Sequence, residues 1–463
     1  MGVWSALAQD PATVGQWSPV MTWPCRAIHA HMLPTGKVLF WATSGAPKQW
    51  DPATNATSNA RNSGLNIFCS GHAFLADGQL FVAGGHFNSE HYVGIPNACK
   101  YNAFTNTWTQ FANLMNAARW YPTSTTLPSG DVLVISGQID TTQGMNPLPQ
   151  VWQTASESWR DLSTAQLALP YYPFMHVAPN GKVFCAGPSQ ITRYLDTSGT
   201  GTWTPLSNTN FGPRNWGSSV MYDDGKILVM GGTTCDPYVW NCASFPTATA
   251  EIIDLNSLVP SWTYTGSMAG GRKNHNATLL PDGKVLVTGG TRSREHPSKD
   301  STDPAYTSEM WDPDTGTWTA MTSETVFRGY HSTAALLPDG RVVSGGGTWG
   351  GASAEVYSPP YLFNGARPTI TSAPTNITYG NSFFVGTPDA TSISKVTMIG
   401  LTSVTHGFNM NQRISRLSFS QATGGLNVTA PSSPNNSPPG YYMLFILNSN
   451  GVPSVANIVR IGS

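Results

Sequence analysis

The chain has 463 residues, a formal net charge of −1 and only 11% charged residues, with 46 Gly and 35 Pro. The length exceeds one ordinary core and calls for several domains, or one large repeat unit with a smaller one attached. The charge balance, without a basic stripe, argues against nucleic acid and anionic membrane surfaces as partners. The composition is that of a turn-rich β protein, and no apolar run is long enough for a transmembrane helix.

The opening residues, MGVWSALAQDPATVGQW, lack the basic start and apolar core of an export signal. Low charge and Asn-x-Ser/Thr sequons at Asn55, Asn376 and Asn427 lean the other way. The expectation is a secreted or extracytoplasmic protein in a form without its signal peptide. From residue 31 onward one pattern recurs seven times: HMLPTGKVLFWATSG, AFLADGQLFVAGGH, TTLPSGDVLVISGQ, HVAPNGKVFCAGPS, VMYDDGKILVMGGT, TLLPDGKVLVTGGT and ALLPDGRVVSGGGT. Each reads as strand, tight turn, strand and glycine, and the turn glycines (Gly36, Gly78, Gly130, Gly181, Gly225, Gly283, Gly340) supply the positive φ that a hairpin needs. Their spacing is that of propeller blades.

A later strand of most repeats carries a Trp: Trp108, Trp159, Trp203, Trp262 and Trp318. The seventh repeat runs into AEVYSPPYL without one, and the N-terminal GQWSPV, with Trp17, is expected to supply its missing strand and close the ring. After about residue 360 the pattern changes to short strands with Pro, Ser and Asn turns. The sequence therefore predicts an all-β protein: a seven-bladed kelch-like β-propeller over residues 1–360 and a C-terminal immunoglobulin-like β-sandwich over 361–463. Of the six cysteines, Cys235 and Cys242 flank a short loop suited to a local disulfide, and with no Cys-x-x-Cys pair a structural zinc site is not expected.

Equivalent positions of a propeller share one radius and height. Nine residues before each turn glycine stand Ala27, Cys69, Tyr121, Tyr172, Trp216, Asn274 and His331. A ring of this kind would ordinarily be small or apolar, yet here most members are chemically capable, and Tyr330 lies beside His331. Adjacent strand residues point to opposite faces, so joint use of Tyr330 and His331 requires irregular backbone at the start of the strand, which Gly329 permits. Taken singly, each of these residues is explained by core packing; Cys69, Tyr121 and His331 in one register point to a site.

FCSG at Cys69, ARWYPTS at Tyr121, FRGYHS at Tyr330 and His331, and VTHGFN at His406 occur in an order that resembles the galactose oxidase/glyoxal oxidase family of copper radical oxidases. The resemblance spans nearly the whole chain and implies Cu(II) held by Tyr121, Tyr330, His331 and His406. It implies a thioether from Cys69 to Tyr121 that carries a radical, and Tyr330 as the base that takes the substrate's hydroxyl proton. His406 would reach the propeller axis on a loop from the sandwich. Imidazole and phenolate suit tetragonal Cu(II). The implied reaction consumes dioxygen and releases hydrogen peroxide.

ARWY is more like glyoxal oxidases and their bacterial relatives than like galactose oxidase, which has R-G-Y there, and the following turn, SGQID, lacks the Trp that galactose oxidase stacks on its thioether. Trp216, in the inner register, is the expected stacking indole, with Trp120 second; Tyr172, Trp216 and Asn274 are expected in the substrate pocket. The expected substrate is a small aldehyde, as its hydrate, or a primary alcohol, handled by a monomer with no nucleic-acid or membrane partner. The alternative is a non-catalytic kelch-type propeller that binds glycan or protein. A sialidase is set aside, because the Asp-box-like DPDTGTW occurs once and lacks a residue.

Overall fold

The computed structural model describes residues 10–87, 92–236, 244–296 and 302–462. Seven antiparallel sheets follow one another along the chain, one per hairpin repeat, and are numbered here as blades one to seven. The seven turn glycines all adopt positive φ, between 72° and 94°. Blade three is typical: Thr123–Thr126 pairs with Val132–Ile135, which pairs with Gln150–Gln153, which pairs with Ser158–Asp161. The second strand of nearly every hairpin is wholly buried, as in Val132–Ile135 and Val285–Thr291, which is why these segments are apolar-rich runs without alternation. The repeat Trps cap the outer side; Trp159 lies opposite Trp152, and Trp318 opposite Trp311.

Blade seven is completed from the other end of the chain. Gln16–Trp17 pairs with Ser353–Ser358 and places Trp17 opposite Tyr357. Beyond the propeller lie a five-stranded and a three-stranded sheet, packed on a core that includes Val396, Met398, Val428 and Leu444. From this unit a finger, Ser403–Thr405 turning into Phe408–Asn409, leaves the sandwich and adds to the edge of blade one. His29 lies opposite Thr405 and His31 opposite Ser403. The finger turns at Gly407, with φ +81°, where a Cβ would stand 2.7 Å from the His275 carbonyl oxygen, so no other residue fits there.

Cys235 is disulfide-bonded; its expected partner, Cys242, lies outside the described residues. Cys25, Cys69, Cys99 and Cys185 are free thiols.

Candidate active site

Six of the seven register residues share one unusual backbone state. Cys69, Tyr121, Tyr172, Trp216, Asn274 and His331 have φ between 44° and 69°, a left-handed conformation that costs a non-glycine residue roughly 1–2 kcal/mol. Because it recurs at positions as different as Trp216 and Cys69, it belongs to the repeat and is not a mark of chemistry. Its use is visible in the hydrogen bonds. The Tyr121 N–H donates to the Cys69 carbonyl (2.8 Å), that of Tyr172 to the Tyr121 carbonyl (3.0 Å), and that of Asn274 to the Trp216 carbonyl (2.8 Å). The left-handed turn aims these groups around the axis from blade to blade, so the register side chains gather at one end of the channel.

A buried arginine precedes the register residue in blades three, five, six and seven. The Arg119 guanidinium donates to the Ser136 carbonyl, Arg214 to Gly231, Arg272 to Gly289 and Arg328 to Gly346. In the first three the arginine stands two residues before Tyr121, Trp216 and Asn274; in blade seven it stands three before His331. Blade seven thus has one extra residue between a fixed post and a fixed register. The extra length lets Tyr330 and His331 both face the axis, with their rings stacked at 3.9 Å and 24°.

These elements bring four donor side chains together. The Tyr121 and Tyr330 hydroxyls are 2.5 Å apart, and His406 Nε2 is 3.0 Å from the Tyr121 hydroxyl. The ligating atoms of Cys69, His331 and His406 lie within 4.8 Å of one another. The surroundings set the tautomers. The Thr405 hydroxyl donates to the Ile28 carbonyl (2.9 Å), so it accepts from His406 Nδ1–H at 2.6 Å and leaves the Nε2 lone pair facing the site. In the same way the Thr348 hydroxyl donates to the Tyr330 carbonyl and lies 3.4 Å from His331 Nδ1. His331 Nε2 is then left buried without a protein partner.

Burial, with Arg26 nearby, lowers His331 to about 3, and burial together with His331 and His72 holds His406 well below the usual range. Both imidazoles are therefore neutral, the form that binds metal. Burial raises both phenols, Tyr121 and Tyr330. It also raises the Cys69 thiol, against the opposing pull of the Tyr121 and Trp120 side chains beside it. Two neutral imidazole nitrogens, one with no other partner, facing two crowded phenol oxygens fit a tetragonal copper ion.

The indole against the Tyr121 ring is that of Trp120, stacked at 4.0 Å and 16°. Trp216, the residue expected there, has no ring contact with Tyr121; it lines the adjoining pocket with Tyr171, Tyr172, Phe174 and Pro188. The Trp216 ring carries the Lys273 ammonium 5.5 Å from its centroid and the edge of His296. Tyr172 stacks on the other neighbour of the site, 4.8 Å from the Tyr121 ring, and its hydroxyl donates to the Ser70 carbonyl. Asn274 is buried and does not line this pocket. Sequence reasoning missed Tyr171, Phe174 and the threonines behind the histidines. The Thr405–His406 neighbourhood was the one available signal.

The glyoxal oxidase N-terminus family profile matches residues 49–352, and the galactose oxidase-like early set domain profile matches 367–461. The chain is 31% identical to a galactose oxidase of Gibberella zeae over 97% of its own length and 71% of that protein's. It is 29% identical to the aldehyde oxidase GLOX of Vitis pseudoreticulata, over 86% of this chain and 82% of that one. A solved fungal alcohol oxidase of the AA5 family, in complex with copper, superposes with a TM-score of 0.88 at 28% identity, covering 97% of this chain and all of the other. The chain belongs to the galactose oxidase/glyoxal oxidase family of copper radical oxidases.

Proposed function

We propose that the protein oxidises a small aldehyde, as its hydrate, or a primary alcohol with dioxygen, releasing hydrogen peroxide, and that a Cys69–Tyr121 thioether is part of its cofactor. The observation that carries the reading is the convergence of the Tyr121 and Tyr330 oxygens with the Nε2 lone pairs of His331 and His406. Copper held by Tyr121, Tyr330, His331 and His406 would supply one-electron redox chemistry and Lewis acidity.

The chain's own groups do the rest. Tyr330 would take the substrate's hydroxyl proton at its phenol oxygen; burial raises this phenol, so that oxygen would be held deprotonated by the bound cation. The Tyr121 ring holds the second oxidising equivalent and takes the hydrogen atom from the substrate carbon; its stacking between Trp120 and Tyr172 keeps the ring still and dry. Cys69, fully buried, is shielded from other oxidants. Tyr171, Phe174 and Trp216, with Pro188, give the pocket apolar walls, with no carboxylate or arginine among the described residues that line it. This favours a small or flat substrate over a hexose, which needs several fixed polar partners. The disulfide at Cys235 and the exposed sequons at Asn55, Asn376 and Asn427 support export to an oxidising compartment.

Copper-loaded protein in air should release peroxide from aldehydes or primary alcohols, and Tyr121→Phe should not. Equal peroxide release by the variant would overturn the proposal.

A further inference from the structure

Behind Cys69 lies a row of polar groups that the chemistry above does not use. His29, His31, His72 and Ser403 are all fully buried. The Cys69 backbone N–H donates to His29 Nε2 at 3.0 Å. A backbone N–H can only donate, so His29 carries its proton on Nδ1, which gives it to His72 Nε2 at 3.0 Å. His72 then carries its own proton on Nδ1 and donates to Ser403 Oγ at 2.8 Å. Ser403 Oγ also meets His31 Nδ1 at 3.1 Å and the His72 carbonyl at 3.4 Å. The directions of the first three bonds follow from the Cys69 N–H. Burial holds the three imidazoles neutral, as this arrangement requires. Trp41 lies between His29 and His31, stacked on both at 4.9 and 4.6 Å, and its indole N–H holds the Ile67 carbonyl of the Cys69 loop.

The row stands where three other blades make a backbone bond. In blades three, four and six the register N–H pairs with a neighbouring blade's backbone carbonyl. For Cys69 the corresponding neighbour is Ala27, which is not left-handed, and whose carbonyl takes the Thr333 hydroxyl. At Cys69 a histidine side chain takes the place of that backbone carbonyl. Ser403, which anchors the row, lies on the finger that carries His406.

We infer that His29, held through His72 and Ser403, is a positioning residue for Cys69. It fixes the cysteine's left-handed backbone so that the sulfur meets the Tyr121 ring, and it makes that placement depend on the docked finger. The inference rests on the thioether proposed above. In that step the Cys69 S–H bond and a Tyr121 ring C–H bond break and one C–S bond forms. Two electrons and two protons pass to dioxygen, which becomes hydrogen peroxide.

The test follows cross-link formation by intact mass, as loss of two hydrogens with time, after copper and air are added to copper-free protein. His29→Phe keeps the stacking on Trp41 and removes both hydrogen bonds. It should slow cross-linking at least about tenfold while copper affinity stays within about threefold of wild type. His29→Gln, which keeps an acceptor for the Cys69 N–H, should recover part of the rate. Ser403→Ala cuts the row beyond His72 and should slow the step about threefold; it carries the test if His29→Phe does not fold. Wild-type cross-linking with unchanged rates in the folded variants overturns the positioning role alone. No cross-link in the wild type overturns the thioether, and the role of His29 with it.

Discussion

Blades six and seven are built from the same parts and differ by one residue. Each has a buried arginine whose guanidinium reaches a hairpin carbonyl and a buried glutamate: Arg272 with Gly289 and Glu309, and Arg328 with Gly346 and Glu355. Each glutamate accepts backbone N–H groups from the loop before the arginine, at Ala269 in one and at Thr325 and Val326 in the other. In blade six the next residue but one, Asn274, turns left-handed and is buried outside the pocket. In blade seven Gly329 and Tyr330 occupy the interval, and Tyr330 and His331 both reach the axis. A rigid post and a rigid register turn one inserted residue into a second side chain at the site. The Tyr330–His331 pair is a local edit of a repeat whose other copies each present a single side chain at this register.

Breaking that edit should have the largest effect. Tyr330→Phe keeps the ring stacked on His331 and removes the hydroxyl, and peroxide release should fall about 10²–10⁴-fold. Deleting Tyr330 restores the Arg-x-His spacing of the other blades and should abolish turnover while leaving the far-UV circular dichroism spectrum unchanged. Removing the posts comes next. Arg272→Met and Arg328→Met each strand a buried glutamate and should cost about 3–5 kcal/mol in urea unfolding; the blade-seven variant alone should also weaken copper binding. Adding Glu355→Gln to Arg328→Met should recover part of that loss.

Blade seven also buries a second carboxylate, Glu324, which accepts from the Ser344 hydroxyl at 2.5 Å and is raised from 4.5 to about 7 by burial. Its folded state binds the proton more tightly than the unfolded chain does. Stability should therefore fall as pH rises from about 4.5 to 7, by on the order of 3 kcal/mol, and Glu324→Gln should flatten that slope in pH-dependent melting. The smallest effect is expected in blade five, where Trp216→Ala should raise KM several-fold with little change in kcat, because this residue lines the pocket without holding the metal.

Much of this was legible in the sequence because turn chemistry is local. The seven turn glycines fixed the count of blades, and counting back from them gathered Cys69, Tyr121 and His331 without any three-dimensional information. The register was read as a strand position, however, and is a left-handed turn before or at the start of one. That difference explains the stacking indole. A strand position would aim Trp216 at the axis as it does Tyr121, whereas the turn folds Trp120 back over its own neighbour. The arginine posts were hidden because their glutamate partners lie 27 to 37 residues away. The buried histidine row depends on the finger choosing the edge of blade one, a long-range docking that no local pattern encodes.

Peptide mass spectrometry of copper-loaded, aerated protein tests the central claim most directly. The account predicts one species, two hydrogens lighter, that joins the Cys69 peptide to the Tyr121 peptide. Separate, unmodified peptides after copper treatment would contradict it.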